Sequence, residues 1–119
     1  MNTPFNYIVN PSVVTAGLFN TIGKTWSCLL PTAIYDRVLQ GVSIQGPLNS
    51  KASVYLGNVT PANLIDSTQR GNSNTADYSG GPFIVQRANF VTVQWTPLAV
   101  TTVFTGTEIV SATFRVKQI

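Results

Sequence analysis

The chain has no histidine, one cysteine and four acids, Asp36, Asp66, Asp77 and Glu108, in 119 residues. Those residue types carry most acid–base, thiol and metal chemistry near neutral pH, because they hold and release protons or bind metals there. Their scarcity predicts a non-enzymatic protein with no cofactor and no metal site. Without histidine a Cys–His nucleophile is excluded. Serine and threonine are abundant, but they have no histidine base and no Gly-x-Ser-x-Gly elbow presents one of them. A lone cysteine makes no internal disulfide, and Cys28, inside Trp26-Ser27-Cys28-Leu29-Leu30, is expected as a buried small hydrophobe. No apolar run approaches the roughly eighteen residues of a membrane span. The first residues, Met1-Asn2-Thr3-Pro4-Phe5-Asn6, lack the basic stretch that opens a secretory signal. As written, the chain is expected in the cytosol or in a particle assembled there, with no membrane partner.

Charge is also short. Charged residues make up 9%, against roughly 25% in ordinary soluble domains, and mean hydropathy is +0.18. A free monomer normally keeps a well-charged surface, so a chain without one is expected to spend its life against neighbours. The formal net charge is +3, yet Lys24, Arg37, Lys51, Arg70, Arg87, Arg115 and Lys117 are scattered. Nucleic acids are held by dense clusters that neutralise several phosphates together, so no nucleic-acid partner is expected.

What is present is Val, Thr, Asn, Ser, Gly and aromatic residues in a period of two. Residues 89–96 put Val91, Val93 and Trp95 on one face and Phe90, Thr92, Gln94 and Thr96 on the other, a half-buried strand. Residues 108–117 set Val110, Ala112, Phe114 and Val116 against Ile109, Ser111, Thr113, Arg115 and Lys117. Further strands are predicted at 5–9, 20–29, 36–45, 51–57, 82–87 and 98–105. Gly46-Pro47-Leu48-Asn49-Ser50 reads as the loop of a hairpin joining 36–45 to 51–57, and Thr105-Gly106-Thr107 separates the last two strands. Six of the prolines, at 4, 11, 31, 61, 82 and 97, fall at or beside strand boundaries, where a missing N–H is tolerated. About seven or eight short strands so spaced predict an all-β protein, an antiparallel β-sandwich of jelly-roll or immunoglobulin-like type. A small closed barrel is the alternative. The size fits one domain over residues 1–119, in which 1–19 is expected either as an arm or interface strand or as an ordinary first strand.

Residues 58–81 break the rhythm. Thr60-Pro61-Ala62-Asn63-Leu64-Ile65-Asp66 fits one helical turn, with Thr60 as N-cap, Pro61 at the first position and Leu64 and Ile65 packed down. The rest, Ser67 through Gly81, reads as one long polar loop, a feature usually functional or disordered, and is expected either as a crossover between the sheets or as a contact loop that orders against a neighbouring subunit. Asp66, Asn72, Asn74 and Asp77 could offer oxygens to calcium, but the alternating ligand spacing of a calcium loop is missing, which points to solvated or turn-capping groups. Asp66 and Arg70 can pair only if the helical turn continues. Adjacent Asp36 and Arg37 face opposite sides of a strand and cannot pair. Among the aromatics, Trp95 is expected in the core, and Tyr78 in the polar loop is expected to be exposed.

The stretch Val54-Tyr55-Leu56-Gly57-Asn58-Val59-Thr60-Pro61-Ala62-Asn63-Leu64-Ile65-Asp66, with Arg70-Gly71-Asn72 and Ala76-Asp77 after it, resembles small β-rich structural proteins of tailed bacteriophages. There a strand ending in a Tyr-x-Gly turn leads to a Pro-x-Asn-Leu-x-Asp-like stretch, then to Arg-Gly-Asn and Ala-Asp. A Pro-led pair of strands ending in tryptophan follows, here Pro82 to Trp95. The resemblance covers residues 51–96 and holds no catalytic residue. It implies a virion structural role, as a head decoration, a head–tail or tail component, or a host-binding tip. The expectation adopted is a protein assembled in the bacterial cytoplasm that decorates the head by binding the major coat protein or other virion subunits. Arg70, Asn72, Asn74, Asp77 and Tyr78 are the expected partner-binding residues, in a homo-oligomer such as a trimer. The alternative is a tail or tail-tip component that binds a host receptor or carbohydrate through exposed aromatics such as Tyr35 and Tyr78.

Overall fold

A computed structural model of the chain describes residues 12–119. These form ten strands: β1 (Ser12–Ala16), β2 (Leu18–Asn20), β3 (Thr25–Leu30), β4 (Arg37–Gln45), β5 (Ser50–Leu56), β6 (Leu64–Thr68), β7 (Ser73–Asp77), β8 (Phe83–Val85), β9 (Val91–Pro97) and β10 (Ser111–Gln118). One sheet has the order β1-β10-β4-β7, with β8 pairing the same strand β4; the other has β2-β3-β9-β5-β6. All pairings are antiparallel.

The alternation in the sequence places the core. Val91, Val93 and Trp95 of β9 and Ala112, Phe114 and Val116 of β10 are buried, together with Leu30, Leu39, Val85 and Phe104. Their polar neighbours in sequence point away from the sandwich because side chains alternate across a strand. Burying such faces is the principal favourable contribution, about 25 cal/mol per Å² of apolar surface.

Topology decides between the two sandwich types. β7 and β8 follow one another along β4, pairing Gly41–Gln45 and Arg37–Leu39 respectively, and β2 continues β1 past Gly17 into the other sheet, as an added edge beside β3. Counting β1–β2 and β7–β8 as one strand each leaves eight, which in chain order run 1-8-3-6 in one sheet and, inside that added edge, 2-7-4-5 in the other. That is the order of a jelly roll, two interlocked Greek keys. The described strands form two separate sheets and no closed barrel.

The predicted strands at 36–45, 51–57, 82–87, 89–96 and 108–117 all appear, shifted or shortened by a few residues. The prediction at 5–9 lies outside the described residues. The one at 20–29 is cut by a turn: Asn20 Oδ1 accepts from the N–H groups of Ile22 (2.9 Å) and Gly23 (3.2 Å), and Lys24 adopts a φ of 51°.

Three expectations are corrected. Residues 46–50 are not a hairpin loop, because β4 and β5 belong to different sheets. They arch between the sheets, against the second crossover at 69–72: Gly46 N–H donates to Asn72 O (3.1 Å) and Gly71 N–H to Ser50 O (2.9 Å). Trp95 Nε1–H donates to Gly71 O at 2.9 Å. Two backbones and an indole meet in one place, and a Cβ on Gly46 would lie 2.8 Å from Trp95 Cδ1. Residues 58–81, secondly, are not one long loop, because β6 and β7 lie within them. Both are edge strands, Leu64-Ile65-Asp66-Ser67-Thr68 and Ser73-Asn74-Thr75-Ala76-Asp77, and their seven polar residues out of ten hid them. Ahead of them a single 3-10 turn, Pro61–Asn63, follows Thr60, whose side chain makes no capping bond; Leu64 is exposed, and only Ile65 packs on the core. Residues 98–105, thirdly, form no strand. Of their apolar side chains only Phe104 reaches the core.

A bulge at Gln40 shifts the β4–β10 register between Arg115 and Val116. The Gln40 carbonyl, freed from the ladder, accepts from Tyr78 N–H (2.8 Å) and Arg115 Nη2 (3.0 Å).

Candidate functional site

The five residues expected to bind a partner do not converge. Arg70 and Asn72 are exposed in the turn between β6 and β7. Asp77 lies on the outer face, where it meets Arg115 Nη2 at 3.1 Å. The Arg115 side chain crosses Gly41, whose added Cβ would come within 2.8 Å of Arg115 Nη2 and of Ala76 O. The Asp77 carboxyl is held below its usual range, first by the N–H and hydroxyl of Ser79 and then by Arg115. Asn74 is half-buried on the opposite face of β7.

Tyr78 departs most from expectation. It is half-buried against the core, packs edge-on to Phe83 with ring centroids 5.1 Å apart, and donates its hydroxyl to Asp66 Oδ2 at 2.7 Å. Burial, and then the bond to and charge of Asp66, raise its phenol pKa. Asp66 is thereby engaged with Tyr78 and not with Arg70, because residues 64–68 continue as a strand and not as a helix. The two side chains roof a cleft between the edges of the sheets, floored by Val42, Ile44, Ala52 and Val54, with a volume of about 20 Å³. That holds about one water and falls far short of the roughly 300 Å³ of a small-molecule pocket.

The more distinctive surface is one end of the sandwich, which sequence reasoning missed. The turn before β3, the two crossovers and the long β9–β10 connection meet there. Leu98 N–H donates to Asn49 O at 2.8 Å, Phe19 stacks beneath Gly106, and Trp26 Nε1–H donates to Glu108 at 3.1 Å. These loops carry Ile22 at 95% exposure, Leu48 at 73%, Val100 at 101% and Ile109 at 88%, with Leu98 and Val103 also exposed. Exposed apolar groups gathered in this way mark interaction sites on soluble proteins. The signal in the sequence was an apolar stretch at 98–105 without a two-residue period.

Glu108 organises this end. Its carboxylate accepts from Thr105 N–H (2.8 Å), Gly106 N–H (3.0 Å), Thr105 Oγ1 (3.1 Å) and the Trp26 indole (3.1 Å). Burial pushes its pKa up, but these donors outweigh burial and hold the carboxyl at about 2. With Glu108 so engaged, Lys24 and Arg70 are the exposed charges of these loops.

Next to this end the outer face of the β1-β10-β4-β7 sheet is also uncharged. One cross-strand row reads Val14–Thr113–Ser43–Thr75, the next Ala16–Ser111–Gln45–Ser73, and the Ser43 hydroxyl bonds to that of Thr75 at 3.3 Å. Among the described residues no group of three or more His, Cys, Asp or Glu could hold a metal ion. No helix among them is long and apolar enough to cross a membrane. Compared with known proteins, the chain matches no family model and no curated protein.

Proposed function

We propose that this chain is a non-enzymatic structural protein of a tailed-bacteriophage particle, assembled in the bacterial cytoplasm and bound in many copies to the coat lattice as a head decoration. The observation that carries the reading is the loop end, where exposed aliphatic side chains gather in a chain with only 9% charged residues. Burying one such side chain contributes about 1.5–3 kcal/mol. Several copies joined in a symmetric oligomer, such as a trimer, multiply that contribution through effective concentration. Binding to the assembled lattice and not to free coat subunits would stabilise the particle by mass action. The contact we assign is this apolar end, with Arg70 and Asn72 at its margin, in place of the whole 58–81 segment.

The experiment is imaging of intact particles carrying a density-bearing tag on the C-terminus, which β10 leads to the opposite end of the sandwich. Label spread over the head in many copies is the expected result. Label confined to the tail tip would replace this reading with host binding, and unlabelled particles would refute a virion role.

A further inference from the structure

Arg37, the first residue of β4, is 5% exposed and is the one buried charged side chain among the described residues. Its guanidinium makes a single hydrogen bond, Nη2 to Asn89 O at 3.2 Å, and its buried Nε–H has no acceptor. A buried guanidinium ordinarily has a carboxylate partner, because desolvating an unpaired charge is expensive. None of the four acids pairs with it: Asp77 is paired with Arg115, Asp66 accepts from Tyr78, and Glu108 serves the opposite end. Asp36 accepts from Arg87 N–H at 2.7 Å. Residues 1–11 contain no acid. Among the described residues the guanidinium has no carboxylate partner.

The loop over Arg37 is strained at one residue and anchored at Arg87, whose N–H donates to Asp36 Oδ1. Ala88 adopts a φ of 69°, in the left-handed region that is disfavoured for a residue with a Cβ. The backbone bonds that hold Ala88 and Asn89 are Ala88 N–H to Ala33 O (3.2 Å) and Asn89 N–H to Gln86 O (2.9 Å). Exposed Arg87 adds a second cation in the same loop.

We propose that Arg37 and the 86–90 loop form an oxyanion-binding site, in which a carboxylate or phosphate group from outside the chain seats on the guanidinium as the loop shifts. The planar fork of arginine matches both groups. Two sources supply that chemistry, an acidic side chain of another protein or free inorganic phosphate. The site does not depend on the virion reading and can be tested on the isolated protein.

The test titrates inorganic phosphate, and separately a short polyglutamate peptide, into the protein at constant ionic strength set by chloride. The arginine Nε–Hε NMR correlations and the melting temperature are recorded. A saturable shift of the Arg37 signal with a parallel rise in Tm is expected, with affinity reduced about tenfold or more in Arg37→Lys and abolished in Arg37→Met. Saturation by the peptide at lower concentration than phosphate identifies an acidic protein segment as the source, and the reverse order identifies phosphate. No saturable shift with either probe in the tens of millimolar range, or an equal Tm rise in Arg37→Met, overturns the proposal. Should Arg37→Met not fold, the wild-type titration and Arg37→Lys decide.

Discussion

Replacing Gly71 with alanine tests whether the two crossovers lock together over Trp95. The added Cβ would lie 2.9 Å from Ser50 O and 3.0 Å from Ser50 C, and would also meet Ser50 Oγ. Backbone atoms cannot rotate aside, so the turn at 69–72 has to move as a unit. Moving it strains the bonds that both peptide groups of Gly71 make, N–H to Ser50 O and C=O from the Trp95 indole, each 2.9 Å long. Overpacking costs about 1–3 kcal/mol, and a buried indole N–H left without its acceptor costs about 1–3 kcal/mol more. A combined loss of about 2–6 kcal/mol is expected. For a chain of this size 1 kcal/mol corresponds to about 4 °C in Tm, so the variant should melt about 8–24 °C lower. Thermal and denaturant unfolding followed by the fluorescence of Trp26 and Trp95 measures it. Gly80→Ala, with no atom within 4 Å of the new Cβ, is the control and should stay within about 0.5 kcal/mol of wild type. Gly46→Ala strikes the same junction, so the double variant should lose less than the sum of the two singles. If Gly71→Ala melts within about 2 °C of wild type, the crossovers are not locked and the reasoning fails.

Glu108 makes stability depend on acid. Its folded pKa of about 2 lies below the usual value near 4.3 for an unfolded glutamate, so its contribution is complete above about pH 4.5 and is lost as pH falls toward 2. Glu108→Gln should lower Tm at pH 7 and flatten that acid limb, as melting curves between pH 7 and 2.5 will show; parallel curves for the two proteins would contradict the assignment. Cys28 is 1% exposed and its thiol pKa is raised by burial. A disulfide-exchange reagent should therefore modify it slowly in the native protein and promptly in denaturant, and immediate native labelling would show that β3 opens. Paired Ile22→Ser and Val100→Ser substitutions, at side chains 95% and 101% exposed, should leave Tm within about 1 °C while weakening attachment to particles in a sedimentation assay. Unchanged attachment would move the contact surface elsewhere.

The strands whose apolar residues recur every second position were legible because a single inward face has to be filled. Val91, Val93 and Trp95, and likewise Ala112, Phe114 and Val116, announce that face without reference to any partner strand. β6 and β7 were not legible. As edge strands they bury little, and Asp66, Ser67, Asn74 and Thr75 satisfy a sheet edge as readily as a loop. The error at 98–105 was the converse: apolar residues suggested burial, while the donors around Glu108 held the segment as an exposed loop. Tyr78 was misplaced because the presumed loop holds strand β7, and Tyr78 follows directly on its end.

The sequence by itself determined an all-β chain, the inward faces of its central strands, the burial of Cys28 and Trp95 and the scarcity of charge, since each follows from composition or from a period of two. Only the tertiary structure decided that 46–50 arches between sheets, that the strand order is a jelly roll, that aliphatic residues distant in sequence gather at one end, and that Arg37 is buried without a carboxylate. The physical reason is that these are relations between segments far apart in the chain. They are fixed by which backbones approach closely enough to bond, as Gly46, Ser50, Gly71 and Trp95 do at the crossing, and local periodicity carries no record of that choice.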